Sequence, residues 1–461
     1  MCGIFGVHGH PDSAAVTHLG LYSLQHRGQE SAGIAALDVT GDAHAVRRMG
    51  LVGEGLKESE LRALQGGRIA IGHTRYSTAG SSSLENAQPV LARSRGGHIA
   101  LAHNGNLINA TELRFGLEEE GAIFQSTMDS EVVVHRIARS NAPSAELRVA
   151  EALDGVDGAY CLLIVIGETL VAARDPRGWR PLVMGRLGDA TVFASETCAL
   201  DIVGATFVRD IEPGEVVAVD REGTRSAFPF PPLTQHRCVF EHVYFARPDS
   251  RIFGGSVSVA RRALGRRLAR ECPAPGAELV FSVPDSSNAA ALGYGEEAGI
   301  PFELALIRNH YVGRTFIQPS QGDRDWKVKV KYNAVRELLH GRSVVMVDDS
   351  IVRGTTTRGL VAMVRAAGAR EVHMRVSSAP ITGPCYYGID TPNREELIAA
   401  NLAVDEIGRE IGVDSLGYLS LDGMLESVPT GPSGFCHACF SGDYPTPPPA
   451  DPDKLRFGCG C

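Results

Sequence analysis

The chain has no long hydrophobic run, no excess of positive charge, no internal repeat and no export signal. Its longest apolar stretch, Ala159–Ile166, runs straight into Gly167 and Glu168. That is far short of the ~20 apolar residues that carry a helix across a bilayer, so no membrane role is expected. Residues 1–10 lack both a basic start and an apolar core, so no signal peptide is read there. Lys and Arg number 45 against 54 Asp and Glu, a net charge of −9. Such a balance argues against nucleic acid as a partner, although phosphate sites can be local on an acidic protein. Ten cysteines without an export signal point to the cytoplasm and to thiols used for catalysis or metal binding rather than disulfides. What is present is an ordinary globular composition, 44% apolar and 21% charged over 461 residues, long enough for two domains.

Three prolines in Arg225–Leu233 break the pattern and read as an interdomain linker. Before it, short β-like runs at Ile69–Gly72, Ile99–His103, Ala159–Ile166, Ala190–Ala194 and Glu215–Asp220 are separated by turns. Helical patterns intervene at Ala14–His26 and Ser130–Arg139. This mixture predicts an α+β domain with mainly antiparallel sheets over residues 2–230. After the linker, strands alternate with helices: Leu279–Val283 then Asn288–Ala298, Ser343–Val347 then Thr356–Ala367, and Glu371–Ser377. That rhythm predicts a parallel α/β domain over 236–440, with ligands at the carboxyl ends of its strands. The tail, 441–461, with its Pro-rich Tyr444–Pro452, is expected to be extended and mobile.

The sharpest motif follows a β-branched strand: Asp348-Asp349, then Arg353-Gly354-Thr355-Thr356-Thr357 opening a helix. N–H groups and hydroxyls at such a helix start suit a phosphate. Adjacent carboxylates upstream suit ribose hydroxyls or hydrated Mg2+. A solvated acid pair and a plain Thr cap are the bland alternative. The stretch resembles the phosphoribosylpyrophosphate signature of type I phosphoribosyltransferases. The resemblance implies Arg353, Gly354, Thr355, Thr356 and Thr357 around the 5-phosphate, with Asp348 and Asp349 facing the sugar and Mg2+. It also implies that the loop Val283-Pro-Asp285-Ser286-Ser287 contacts the pyrophosphate, with Ser286 near the metal; an ordinary N-cap for the following helix is compatible with this. The basic stretch Arg308–Lys331 reads either as a lid over a polyanion or as solvated lysines; similarity to the family's closing loop favours a lid.

Cys2 is the second residue. Removal of Met1 would leave its thiol beside its own α-amino group, which titrates near ~7.7–8.0 and can act as the base. Maturation is therefore expected to need methionine removal and no propeptide cleavage. Segments around His26-Arg27-Gly28, His73-Thr74-Arg75, His103-Asn104-Gly105-Asn106 and Asp129-Ser130-Glu131 accompany it. Singly they could be a hairpin turn, a surface ion pair or a helix cap. Together with Cys2 they resemble the class II glutamine amidotransferase domain of the N-terminal-nucleophile hydrolases, a four-layer αββα sandwich. The resemblance implies Cys2 as nucleophile, with the Asn104 amide and Gly105 N–H as oxyanion donors. Arg75 would clamp the glutamine carboxylate, Asp129 its ammonium, and Arg27 would fix the site from behind. His26 and His73 receive no catalytic role.

A glutaminase and a phosphoribosyl domain in one chain make chemical sense: ammonia from glutamine can displace pyrophosphate to give 5-phosphoribosylamine. Apart from the tail, the chain resembles the glutamine phosphoribosylpyrophosphate amidotransferases, which open de novo purine synthesis. That resemblance implies a water-poor ammonia passage, purine-nucleotide feedback and a homo-oligomer, dimer or tetramer. Cys238, Cys385, Cys436 and Cys439 come from three segments; four thiols could hold zinc or a cubane cluster, and a lone CxxC is by itself weak. Their positions resemble the ligands of the family's iron–sulfur subgroup, which implies one [4Fe-4S] centre. Cys161, Cys198 and Cys272 read as packed thiols, and Cys459 and Cys461 as an unexplained pair. Two rivals stand beside this reading: a glucosamine-phosphate synthase, which leaves the Asp348–Thr357 motif unexplained, and a nucleotide-responsive regulator keeping a phosphoribosyl fold without catalysis.

Overall fold

Strand alternation builds the first half of the chain. Along Gly158–Ile166 every residue is buried. Tyr160, Leu162 and Ile164 nevertheless belong to one core, and Cys161, Leu163 and Val165 to another, because successive strand side chains point to opposite faces. In the computed structural model, which describes residues 1–77, 80–310, 330–391 and 393–449, this strand is β7. The others before the linker are β1 (Gly3–His8), β2 (Ser31–Leu37), β3 (Ala43–Met49), β4 (Ile69–Arg75), β5 (Val90–Ser94), β6 (Gly97–Leu107), β8 (Thr169–Arg174), β9 (Val183–Leu187), β10 (Ala190–Ala194), β11 (Thr206–Asp210), β12 (Val216–Asp220) and β13 (Gly223–Ala227).

They form a seven-stranded sheet, β11-β9-β10-β1-β4-β2-β3, and a six-stranded sheet, β13-β12-β8-β7-β6-β5. Both are antiparallel, as in β1 with β4 and β6 with β7. Ile4, Ile71, Leu163 and Phe193 fill the space between the sheets. The outer face of the first sheet packs Phe5 and Val7 against helix α1 (Ser13–Ser23). The outer face of the second packs Leu162 and Ile164 against α2 (Glu131–Arg139) and α3 (Ala145–Leu153). The result is the αββα sandwich.

Two strands run longer than their apolar patterns. β4 continues through His73, Thr74 and Arg75, and β6 through Asn104, Gly105 and Asn106. Asn104-Gly105, a possible hairpin turn from sequence, is mid-strand, opposite Cys161 and Tyr160 of β7.

The second half carries a parallel sheet, β14 (Leu279–Ser282), β15 (Ser343–Asp348), β16 (Glu371–Val376) and β17 (Ser415–Tyr418), in that order. Val280, Val345 and Val347 face α4 (Val257–Glu271) and α5 (Asn288–Ala298). Phe281, Val344 and Met346 face α6 (Thr355–Ala366) and α7 (Val404–Ile411). Helices on both sides of a parallel sheet leave its carboxyl ends free for ligands.

The halves meet around Trp179, whose ring stacks on Tyr387 at 3.9 Å. Arg237–Cys238 pairs in parallel with Phe435–Cys436, tying the chain after the linker to the carboxyl-terminal segment. The start of the tail is held rather than loose: Tyr444 Oη donates to Pro384 O at 2.7 Å, and Thr446 O accepts from Tyr387 Oη at 2.9 Å. Most of the lid segment, residues 311–329, and the pair Cys459 and Cys461 lie outside the described residues.

Candidate active site

β1 delivers Cys2 into the junction between the sheets and the second half. Cys2 is buried, its N–H donates to Asn104 Oδ1 at 3.2 Å, and its Sγ lies 3.5 Å from Tyr76 O. Asn104 has no exposure, and its Nδ2 is a buried donor without a hydrogen-bond partner. Such orphaned groups are rare and call for an explanation. Gly105 follows under tight restraint: a Cβ there would lie 1.9 Å from Ala159 O.

Arg75 Nη1 donates to Ser81 O at 2.8 Å and lies 3.7 Å from Glu30. Asp129 accepts from Leu107 N at 2.8 Å, and its other oxygen is 3.6 Å from His103 Nδ1. Burial opposes the charge on both His103 and Asp129. Their mutual attraction prevails, raising the imidazole pKa and lowering the carboxyl.

Arg27 points away from any open space. Its Nε donates to Cys2 O at 2.9 Å, its Nη1 to Glu196 at 2.5 Å, and its Nη atoms to both oxygens of Glu241 at 3.0 and 2.8 Å. No part of these side chains is exposed. Sequence reading expected Arg27 to fix the site from behind; its guanidinium is spent on Cys2 O and on two carboxylates, one of them from the second half. Met1 is buried beside it, and burial lowers the terminal amine to about 6.

At the other centre, Asp348 and Asp349 sit at the carboxyl end of β15. Ser286 Oγ donates to Asp349 at 2.5 Å and Ser287 Oγ to Asp348 at 3.1 Å, so the loop after β14 meets the acid pair. Burial first, then the neighbouring Asp349 charge, raises Asp348 well above the carboxylate range; burial also raises Asp349. Gly354 caps α6 at φ 74°, with Thr357 buried and Thr355 and Thr356 exposed. Arg353 turns aside to pair with Glu396. Arg308 reaches Asp285 at 2.9 Å from a short strand paired with Tyr332–Ala334.

Cys238, Cys385, Cys436 and Cys439 line one largely enclosed cavity with Trp179, Arg180 and Tyr387. Burial raises the thiols of Cys238, to about 11, and of Cys436 and Cys439. Among the described residues, no group of three or more His, Cys, Asp or Glu is placed to hold a metal ion. Cys161 and Cys198 are packed in cores, and Cys272 donates to Tyr418 O at 3.3 Å.

A family model described as a glutamine amidotransferase domain matches residues 73–201. "Amidophosphoribosyltransferase 1, chloroplastic" of Arabidopsis thaliana is 50% identical over 448 residues, covering 97% of this chain and 79% of its own. The chain belongs to the amidophosphoribosyltransferases. The solved "Structure of the allosteric regulatory enzyme of purine biosynthesis" is 49% identical with a TM-score of 0.93, covering 99% of this chain and 98% of the other. The glutamine phosphoribosylpyrophosphate amidotransferase from B. subtilis, solved with ADP and GMP, is 49% identical with a TM-score of 0.91, covering 97% and 98%. This amidophosphoribosyltransferase carries out glutamine-dependent amidotransfer to phosphoribosylpyrophosphate in purine biosynthesis. No helix among the described residues is long and apolar enough to cross a membrane.

Several residues that build this amidophosphoribosyltransferase site escaped the sequence reading. His103 stood within a quoted motif but received no role. Glu196, Glu241, Arg180 and the loop around Tyr387 had no motif to mark them. They are single residues from distant segments, and only folding brings them to Cys2.

Proposed function

We propose that residues 2–230 release ammonia from the glutamine amide and that residues 236–440 add it to C1 of phosphoribosylpyrophosphate. Once Met1 is removed, the Cys2 α-amine takes the thiol proton as Sγ attacks the amide carbon. Asn104 Nδ2 and Gly105 N–H receive the developing oxyanion, Arg75 and Asp129 hold the carboxylate and ammonium, and Arg27 acts through Cys2. The α-ammonium returns that proton to the amide nitrogen so that ammonia leaves, water cleaves the thioester to glutamate, and ammonia displaces pyrophosphate to give 5-phosphoribosylamine. Protonated ammonia is no nucleophile, which favours a dry passage between the halves. The observation carrying this reading is the buried, unpartnered Asn104 amide on the residue that holds Cys2.

Arg353, Gly354, Thr355, Thr356 and Thr357 receive the 5-phosphate at the start of α6. The donor set of Ser286, Asp348 and Asp349, all oxygen and held together by hydrogen bonds, fits Mg2+, which would neutralise the pyrophosphate. Four cysteines lining one cavity fit a [4Fe-4S] cluster held by Cys238, Cys385, Cys436 and Cys439; it would serve as a structural pin. Feedback by purine nucleotides, a homo-oligomer (dimer or tetramer) and a cytoplasmic site belong to the same reading. The B. subtilis relative solved with ADP and GMP supports the first.

The test supplies amide-labelled glutamine, phosphoribosylpyrophosphate and unlabelled ammonium. Labelled phosphoribosylamine, glutamate and pyrophosphate are expected. Efficient dilution of the label overturns the passage, and absence of glutamate and pyrophosphate favours the regulator. The same protein purified anaerobically is expected to contain iron and acid-labile sulfide; zinc instead, or neither, removes the cluster.

A further inference from the structure

Gly105 lies between two backbones. On one side is Ala159 O of β7, 1.9 Å from where a Gly105 Cβ would stand. On the other is Gly388, from a loop 283 positions away in the second half. A Cβ built on Gly388 would lie 3.0 Å from both Cα and C of Gly105, and 3.1 Å from its O. Gly388 also has φ 104°, a conformation L side chains rarely adopt.

The rest of the loop is fastened to the first half around the same point. Asn106 Nδ2 donates to Tyr386 O at 2.9 Å. Arg180 donates to Tyr387 O from Nε at 3.0 Å and from Nη2 at 2.5 Å. Cys385, at the loop's start, lines the cysteine cavity. The loop is thus fastened immediately before Gly388 and presents a side-chain-free residue to the backbone beside Asn104.

The geometry points to Gly388 as a positioning residue for amide hydrolysis: the second half supplies one wall of the clamp that aims the Gly105 N–H. The inference rests on the reading of Asn104 and Gly105 as oxyanion donors. Gly388 touches no reacting atom and acts through Gly105. The contacts that fasten its loop, Asn106 to Tyr386 and Arg180 to Tyr387, involve no residue of the Asp348–Thr357 motif, so the ammonium-dependent reaction serves as the control.

The experiment compares glutamine-dependent with ammonium-dependent formation of phosphoribosylamine in the full-length protein. Gly388→Ala forces the Gly105 backbone to shift by a few tenths of an ångström. It is expected to lower kcat with glutamine about tenfold, since loss of a whole oxyanion donor costs ~10²–10³. KM for glutamine and the rate with ammonium should hold. Unchanged kcat with glutamine overturns the inference, as does a rise in KM alone. If Gly388→Ala loses both activities, Asn106→Ala decides, because it unties Tyr386 without adding an atom. A selective fall in glutamine kcat supports the brace, and no fall removes it. Asn104→Ala separates the underlying reading: glutamine hydrolysis at full rate there overturns the oxyanion assignment itself.

Discussion

Glu196 shows how much of the nucleophile's setting depends on buried charge. It accepts from His26 at 2.7 Å, Arg27 at 2.5 Å, Ser250 Oγ at 2.6 Å and Arg247 N at 2.9 Å. Burial alone would raise its carboxyl; His26 and Arg27 reverse that and hold it far below the usual glutamate range. A depressed folded pKa contributes stability that is complete above the usual value near ~4.3 and is lost as pH falls toward the folded one. Removing one partner of a buried pair costs about 3–5 kcal/mol. Glu196→Gln should therefore melt several degrees lower at neutral pH, with the gap closing as pH drops from about 5 to about 3. Thermal melts across that range check this, and a gap independent of pH contradicts the charged pairing. Cys2, Arg75, Asn104 and Asp129 could be singled out as candidates because the expected chemistry demands those types in recurring local words. Glu196 and Glu241 were not, since a single glutamate in a helix or turn reads as surface.

Elements follow from periodicity where burial is two-sided or striped, and misread where polar residues are buried. β10 and α5 coincide with their apolar patterns, Ala190–Ala194 and Asn288–Ala298. β6 does not, because its Asn104–Asn106 end is polar yet still paired to β7. The start of α6 is where the proposed function rests directly on an element. Gly354 takes φ 74°, and a Cβ on it would meet Ile398 Cδ1 at 2.7 Å. Only glycine holds the turn that aims the first N–H groups of the helix. Gly354→Ala is expected to raise KM for phosphoribosylpyrophosphate on the order of tenfold and to leave glutamine hydrolysis intact. Steady-state kinetics of the two half-reactions check it; an unchanged KM means that the phosphate sits elsewhere.

For the whole molecule, the junction between halves is where Met1 is seated. Met1 is 1% exposed, and its Sδ lies against Arg180 and Arg27. Arg180 and Arg27 share Glu241 from the second half. A residue so enclosed is shielded from an aminopeptidase, so removal of Met1 is expected only before the halves close. Folded protein that still carries Met1 should resist methionine aminopeptidase, and should lose Met1 when treated while unfolded. Intact mass spectrometry reads the outcome; rapid removal from folded protein shows that Met1 is not seated there.

By itself, the amino-acid sequence determined the class of each half and singled out the candidate site residues. Alternation and helix periodicity are local, and a nucleophile, an oxyanion donor and a phosphate turn each need fixed neighbours. Tertiary structure alone decided what supports them: Glu241 behind Cys2, Gly388 against Gly105 and four cysteines around one cavity. Those contacts join positions hundreds of residues apart, and no local pattern encodes them. They exist because close packing leaves one backbone no room except where another lacks a side chain, and because a buried charge must find its opposite wherever the chain provides it.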